Sequence, residues 1–299
     1  MRKRMIAAVV TITMMFGLLV GCGNSAEKNG ENDESASVEK NAGESETLTR
    51  LKKAGKIVIG GTGSAPFGFI DESSGEYKGI NWEISMAVAK KLGIDDVEFS
   101  IISFDSLIES LKTGKVDMVS AAMYINDDRK EIVDFSNAYY KEGEGILFDE
   151  SKNYKSLEDL KGTVCAVQSG SSLAEVAEKY CEDGIFERLD TYQSLDEMVL
   201  AVSTGKADCC MGDNVALAYA MSSGESTGAN LKLLENYDPL KAGIIGDVFA
   251  KGDEDFVIEW NKALDELKED GTILSILEKY GLDESFMLTG DDAIVENVK

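Results

Sequence analysis

The sequence predicts an α/β protein of two lobes built alike, and two internal echoes carry that prediction. Leu107–Ala122 is echoed by Met198–Asp213. Each stretch reads as an amphipathic helix, a glycine stop at Gly114 or Gly205, and a short apolar strand, which is half of an alternating α/β layer. Earlier in each half, Lys56–Gly60 runs into the loop Gly61–Ser64, and Thr163–Val167 runs into Gln168–Ser172. A strand feeds a Gly/Ser loop both times. Two similar lobes follow, with strand ends and loops facing a shared cleft.

Apolar periodicity places the elements in order. Helices are predicted near 82–92, 105–113, 128–133, 171–183, 194–204, 213–222, 254–269 and 272–280, where apolar residues recur every three or four positions. Strands are predicted near 56–60, 97–102, 116–121, 144–148, 163–167, 186–190, 207–211 and 244–250, short apolar runs bounded by turn residues. The chain has only two prolines, Pro66 and Pro239. Pro66 follows the first Gly/Ser loop, where it stiffens a turn rather than breaking a helix.

Residues 1–21 are expected to be removed. Arg2, Lys3 and Arg4 precede an apolar run from Met5 to Val20 that ends in Leu19-Val20-Gly21-Cys22. That run is short for a membrane span, and its order of basic head, apolar core and small residue before cysteine is that of a secretory signal cut ahead of a lipid-bearing cysteine. Cys22 is thus the expected lipidation site, and an ordinary signal peptide is the plainer alternative. Residues 23–47 are nearly all Gly, Asn, Ser, Ala, Glu, Asp and Lys with a single Val38. They lack the apolar surface to offset the entropy of ordering, so 22–47 is expected to be an acidic, disordered tether. Such a chain would be lipid-anchored to the cell membrane and would work outside the cytoplasm.

The chain carries a formal net charge of −25. Loss of residues 1–21 takes away three basic residues and no acidic one, leaving −28. Such a surface disfavours nucleic acid and anionic lipid as partners. No histidine is present, which excludes Ser-His-Asp and Cys-His nucleophiles and any imidazole metal ligand. No cofactor or metal is implied. Cys165, Cys181, Cys209 and Cys210 show no Cys-x-x-Cys spacing; Cys165 in one apolar run and Cys209-Cys210 in another read as small buried hydrophobes, with a disulfide between the two runs as the alternative.

Several segments, in order and at family-like spacing, give the chain a resemblance to a known family. They are Ala65-Pro-Phe-Gly-Phe69 with Tyr77-Lys-Gly79, Phe104-Asp-Ser-Leu-Ile108, Gly114-Lys-Val-Asp117, Ile125-Asn-Asp-Asp-Arg129 with Val133-Asp-Phe-Ser136 and Tyr139-Tyr140, Leu160-Lys-Gly162 with Gln168-Ser-Gly-Ser-Ser172, and Gly205-Lys-Ala-Asp208 with Gly212-Asp213. Over roughly 48–285 the chain resembles the extracellular solute-binding proteins, family 3, the amino-acid receptors of ABC importers. Ala122-Met-Tyr-Ile125 and Tyr280-Gly-Leu282 look closest to the branch that includes ectoine receptors.

The resemblance implies a type II periplasmic-binding-protein-like fold. Lobe 1 would comprise 48–142 and 243–285, lobe 2 would be 143–242, and 286–299 would be a C-terminal tail. Two crossover strands near 139–145 and 238–246 would form the hinge about which the lobes close on ligand. The expected partners are a small zwitterion, the permease subunits with their cytoplasmic ATPase, and the membrane through the lipid.

The resemblance also assigns the site. Arg129 would grip the ligand α-carboxylate, as a planar guanidinium can with two parallel hydrogen bonds; by itself, an arginine after Asp127-Asp128 reads as a surface ion-pair member. Asp213 would take the α-ammonium, although alone it reads as a helix N-cap. Ser171 and Ser172 open a helix whose N-H groups suit a carboxylate, with plain capping the alternative. Phe104 would lie against the ligand, where a lone phenylalanine otherwise belongs to the core. Gly170, Gln168, Ala122, Tyr124 and Ser64 complete the expected site. Four departures put the ligand in doubt: Ser64 stands where an aromatic is frequent, Gly61 where an acidic or polar residue is frequent, Tyr124 where Ser or Thr is usual, and Asn81-Trp82 where Asp-Val is common.

The expected function is capture of a polar amino acid and its delivery to a permease, without catalysis. A compatible solute such as ectoine is a second ligand class, favoured by an aromatic box. A dehydratase acting on a carboxylated cyclohexadienyl ring is an alternative of another class, opposed by the lack of an obvious cleft acid to protonate a leaving group. A signalling sensor is opposed by the lack of a second apolar segment or an output domain.

Overall fold

The computed structural model describes residues 45–222, 230–237, 239–240 and 242–297. The expected signal, Cys22 and most of the tether lie outside the described residues. Two sheets organise the rest. The first runs in the spatial order Asp96–Ile101, Lys56–Gly61, Met118–Val119, Val248–Ala250, Val133–Phe135. Its first three strands are parallel, and Val248–Ala250 is antiparallel to both neighbours. The second runs Phe186–Tyr192, Thr163–Gln168, Cys209–Asp213, Tyr140–Asp149, Leu231–Leu233. Again three strands are parallel and the next, Tyr140–Asp149, is antiparallel to both neighbours. The orders are therefore the same. Lys56–Gly61 corresponds to Thr163–Gln168 and Met118–Val119 to Cys209–Asp213, the strands that the two sequence echoes pair. The architecture is the two-lobed α/β type II binding fold.

The long strand Tyr140–Asp149 links the sheets. Its second half enters the second sheet, while its first half pairs antiparallel with Ala242–Ile245, from Tyr140 opposite Ile245 to Gly143 opposite Ala242. Alternation along the strand buries Tyr140, Glu142 and Glu144 on one face and leaves Lys141 exposed, the period of two that a pleated strand imposes. Two acidic side chains are thereby buried where the lobes join.

Several elements differ from the sequence expectation. A helix spans Glu46–Ala54, so residues 45–47 belong to the folded body and not to the tether. Ser45 caps it, Leu48 and Leu51 bury the inner stripe, and Gly55 ends it in the left-handed region, φ 69°, with its N-H bonded to Leu51 O and Lys52 O. The helix expected over 128–133 is a single turn, Asp127–Lys130, because Val133–Phe135 leaves it to pair with Val248–Ala250. The strand expected over 244–250 is two strands, interrupted where Asp247 turns into the core. There its carboxylate accepts from Ser120 Oγ at 2.6 Å, Trp260 Nε1 at 2.9 Å and Tyr139 Oη at 3.2 Å, while Ser136 Oγ accepts from Asp247 N at 2.8 Å. Burial pushes this carboxyl up to about 6 against those donors.

The C-terminal residues dock onto the start of the linking strand. Met287 bridges Tyr140, Leu288 N donates to Tyr139 O at 3.1 Å, Ala138 N donates to Ala293 O at 2.7 Å, and Asn297 makes two bonds to the Phe135 backbone. All four cysteines after the tether are free; Cys165 and Cys209 face each other across adjacent strands deep in the second lobe. Among the described residues no helix is long and apolar enough to cross a membrane.

Candidate functional site

The loops that follow equivalent strands of the two sheets meet around one cavity. It is lined from the first lobe by Thr62, Ser64, Phe67, Phe104, Ala121, Ala122, Tyr124 and Arg129. From the second come Gln168, Ser171, Ser172, Leu173, Leu195, Met198, Met211, Gly212 and Asp213. Of the residues expected from sequence, nine line it directly. The tenth, Gly170, borders it by accepting from Arg129.

Arg129 sits on the short helix Asp127–Lys130 and is only 9% exposed. Its Nη1 donates to Tyr124 O at 2.6 Å, and its Nη2 reaches across the cleft to Gly170 O at 3.1 Å. The Phe104 ring covers the guanidinium at 5.6 Å. Burial pulls its pKa down, opposed by the charges of Glu175 and Asp213. Among the described residues no carboxylate lies at ion-pair distance from it, and its side-chain hydrogen bonds go to carbonyl oxygens. A guanidinium carries five N–H donors, and the remaining ones are available to an anion in the cavity.

Backbone geometry brings the lobes this close. Asn126 caps the Arg129 turn with Oδ1 and donates from Nδ2 to Ser172 Oγ at 3.1 Å, across the cleft. Ser169 Oγ meets Asp105 Oδ2 at 3.3 Å. Gly170 has φ 73°, and a Cβ there would sit 3.2 Å from the Cα and Cβ of Asp105. Ser171 caps the helix Ser172–Glu182 by accepting from Ala174 N. Its side chain is committed to that cap, while the helix N-terminus still faces the cavity. Ala122 holds a left-handed φ of 51°, a strained conformation for a residue with a Cβ.

Asp213 ends the strand Cys209–Asp213 at the cavity wall. Burial pushes its carboxyl up to about 6, with Tyr124 and the Arg129 charge pulling it down. Behind it stands Glu142, 4% exposed, whose pKa is raised well above the usual range by burial and by the Asp213 charge. Nothing local flags Glu142, because only the strand pairing turns it inward.

The cavity is more apolar than the sequence expectation. Phe67, Leu173, Leu195, Met198 and Met211 line it and were not among the expected site residues. The signal for the last two lay within the echoed segment Met198–Asp213, where Met198 and Met211 hold buried positions of a helix and a strand. The departure at 61 has a packing cause: a Cβ at Gly61 would lie 2.2 Å from the Phe99 ring, which meets Tyr77 and Trp82 edge to face. Ser64 lines the cavity without a ring, and Phe67 presents one from farther along the loop. Among the described residues no three His, Cys, Asp or Glu side chains form a metal-holding group.

Two α/β lobes that meet over one cavity, with a buried arginine facing it from the first and an aspartate from the second, have the geometry of a two-lobed solute-binding protein. The chain belongs to the bacterial extracellular solute-binding proteins, family 3, which it matches over residues 57–283. The ABC transporter glutamine-binding protein GlnH of Bacillus subtilis (strain 168) is 30% identical over 285 residues, 94% of this chain and 97% of that protein. Among solved structures, the solute receptor for L-cysteine of Neisseria gonorrhoeae superposes with a TM-score of 0.72 at 26% identity, covering 81% of this chain and 99% of that one. An ancestral arginine-binding protein bound to arginine gives a TM-score of 0.68 at 34% identity, covering 76% and 98%.

Proposed function

We propose that the chain is the receptor of an ABC importer, anchored through Cys22, and that it closes on an α-amino acid and presents it to the permease. The observation that supports this most is the buried Arg129 guanidinium, which faces the cavity with no carboxylate partner among the described residues. The ligand carboxylate would take its free N–H donors and the N-terminus of the helix Ser172–Glu182. Asp213 would take the ammonium. Phe67, Met198 and Met211 would pack on the side-chain stem, so the polar amino acid expected from sequence becomes one with an apolar stem. Asp213, raised toward neutrality by burial, is returned to its charged form by a ligand cation, which fits binding without catalysis. A carboxylated compatible solute is the second reading, favoured by the rings of Phe67, Phe104 and Tyr124 around one cavity.

Thermal denaturation of the purified domain with each of the common amino acids and with ectoine tests both. A ligand present at 100 times its Kd stabilises the native state by about 2.7 kcal/mol. Stabilisation by ectoine alone would select the second reading, and stabilisation by none would overturn both.

A further inference from the structure

We propose that the side chain of the captured amino acid is apolar to its end: the cleft takes an aliphatic or thioether amino acid and rejects basic, acidic and amide side chains. The proposal rests on the amino-acid reading above and names the ligand class within it.

Charge excludes the ionic side chains. Among the described residues the cavity is lined by two charged groups, Arg129 from the first lobe and Asp213 from the second. The α-carboxylate and α-ammonium of the ligand use both. A third charge, at the end of the ligand side chain, would be shut into the closed cleft without a counter-ion, and an unpaired charge is the most costly group to bury. Most lining hydroxyls and amides are already engaged within the protein. Ser171 Oγ accepts from Ala174 N, Ser172 Oγ accepts from Asn126 Nδ2 at 3.1 Å, and Gln168 Nε2 donates to Gln193 O at 3.3 Å. The Tyr124 hydroxyl is buried without a partner, but the strongest charge acting on it is that of Asp213, which places it on the ammonium side. Thr62 and Ser64 remain, both on the loop that follows Lys56–Gly61.

The wall beside Asp213 is apolar. Met211 and Asp213 stand two residues apart on the strand Cys209–Asp213 and share its cavity face, a step of roughly 7 Å. An ammonium held by Asp213 therefore sets the ligand side chain against Met211. Leu195 and Met198, three apart on the helix Leu195–Ser203, present one helix face to the same cavity, as that spacing requires. Leu173 from the second lobe and Phe67 from the first complete the wall, and all five side chains are 8% exposed or less. None of the five offers a hydrogen-bond donor, and the thioether sulfurs are only weak acceptors. An amide entering among them loses its hydration with poor replacement, whereas a methylene chain or a thioether gains contact with every member.

Calorimetry of the purified domain with pairs of similar size tests this: L-leucine against L-asparagine, L-methionine against L-glutamine, and L-norleucine against L-lysine. In at least one pair the apolar member is expected to bind about tenfold or more tightly than its partner, and in no pair the polar one. Met198→Gln and Met211→Gln each put an amide into the wall, and either is expected to shrink the preference for L-methionine over L-glutamine to about threefold or less. A polar or basic member that binds as tightly as its apolar partner would overturn the inference and leave the amino-acid reading standing. A preference unchanged in both folded variants would also overturn it. Should neither variant fold, the wild-type ranking decides. Failure of all six ligands would overturn the inference, and binding of no amino acid at all would overturn the amino-acid reading with it.

Discussion

Arg129 Nη2 donates to the carbonyl oxygen of Gly170 at 3.1 Å across the cleft. The same side chain that faces the cavity therefore also fastens the lobes, and ligand capture and closure share one group. A ligand carboxylate placed beside it engages residues of both lobes only when the cleft is shut, and that differential contact is what shifts the population toward the closed form.

Arg129→Ala should weaken binding of a confirmed ligand by on the order of 2 to 5 kcal/mol, because it strands a buried carboxylate. Arg129→Lys should also bind poorly, since a lysine cannot reproduce the planar fork that spans Tyr124 O, Gly170 O and the ligand. Calorimetric affinity within a factor of about two of wild type in both variants would contradict the assignment.

Gly170→Ala should impair closure. The backbone there is left-handed and the added methyl would meet Asp105, so the variant carries roughly 1–2 kcal/mol of strain when closed. Solution scattering of the wild type should show a smaller radius of gyration on ligand addition, and the variant should need about tenfold more ligand to reach it. Identical titrations would show that the close approach is not needed.

Ligand affinity should fall as the pH drops below about 6, the value to which burial pushes Asp213. The ammonium binds the ionised carboxylate, so each unit below that value should cost about tenfold in affinity until the ligand-bound carboxylate itself titrates. Asp213→Asn should bind weakly at every pH and lose this dependence. A flat wild-type profile between pH 5 and 7 would be inconsistent with Asp213 as the ammonium partner.

Asp247 should make stability fall with rising pH. Its folded-state pKa of about 6 lies above the ordinary carboxylate value, so its contribution is fully present below about pH 4 and is lost as the pH rises through about 6. The loss is on the order of 2–3 kcal/mol. Denaturant titrations of Asp247→Asn should show a flatter profile across that window than wild type. A parallel profile would mean that Asp247 is not the group responsible.

Cys22→Ser should leave unprocessed or shed protein in cells without changing the affinity of the purified domain. Membrane fractionation checks it, and normal processing and retention of the variant would remove the anchor.

The repeats were legible because strand and helix periodicity are local. The echoed segments became equivalent strands in two sheets of the same order, with Asp213 at the end of one and Ser171 and Ser172 just beyond another, where an α/β layer presents its strand ends. The strand and helix readings depended on residues adjacent in the chain, whereas the roles expected of Arg129, Phe104 and Asp213 came from the family resemblance. Helix Glu46–Ala54 escaped because its polar first turn continues the tether's composition, and only docking buries Leu48 and Leu51. The register of Tyr140–Asp149 against Ala242–Ile245 and Cys209–Asp213 decided that Glu142 and Glu144 turn inward. The meeting of Asp247 with Ser120, Tyr139 and Trp260, far apart in sequence, required the folded lobe. Sequence thus determined the strands, the loops and the residue types they offer, since these follow from spacing along the chain. The tertiary structure alone decided which polar groups are buried and which find partners, because desolvation and hydrogen bonding depend on neighbours that only folding supplies.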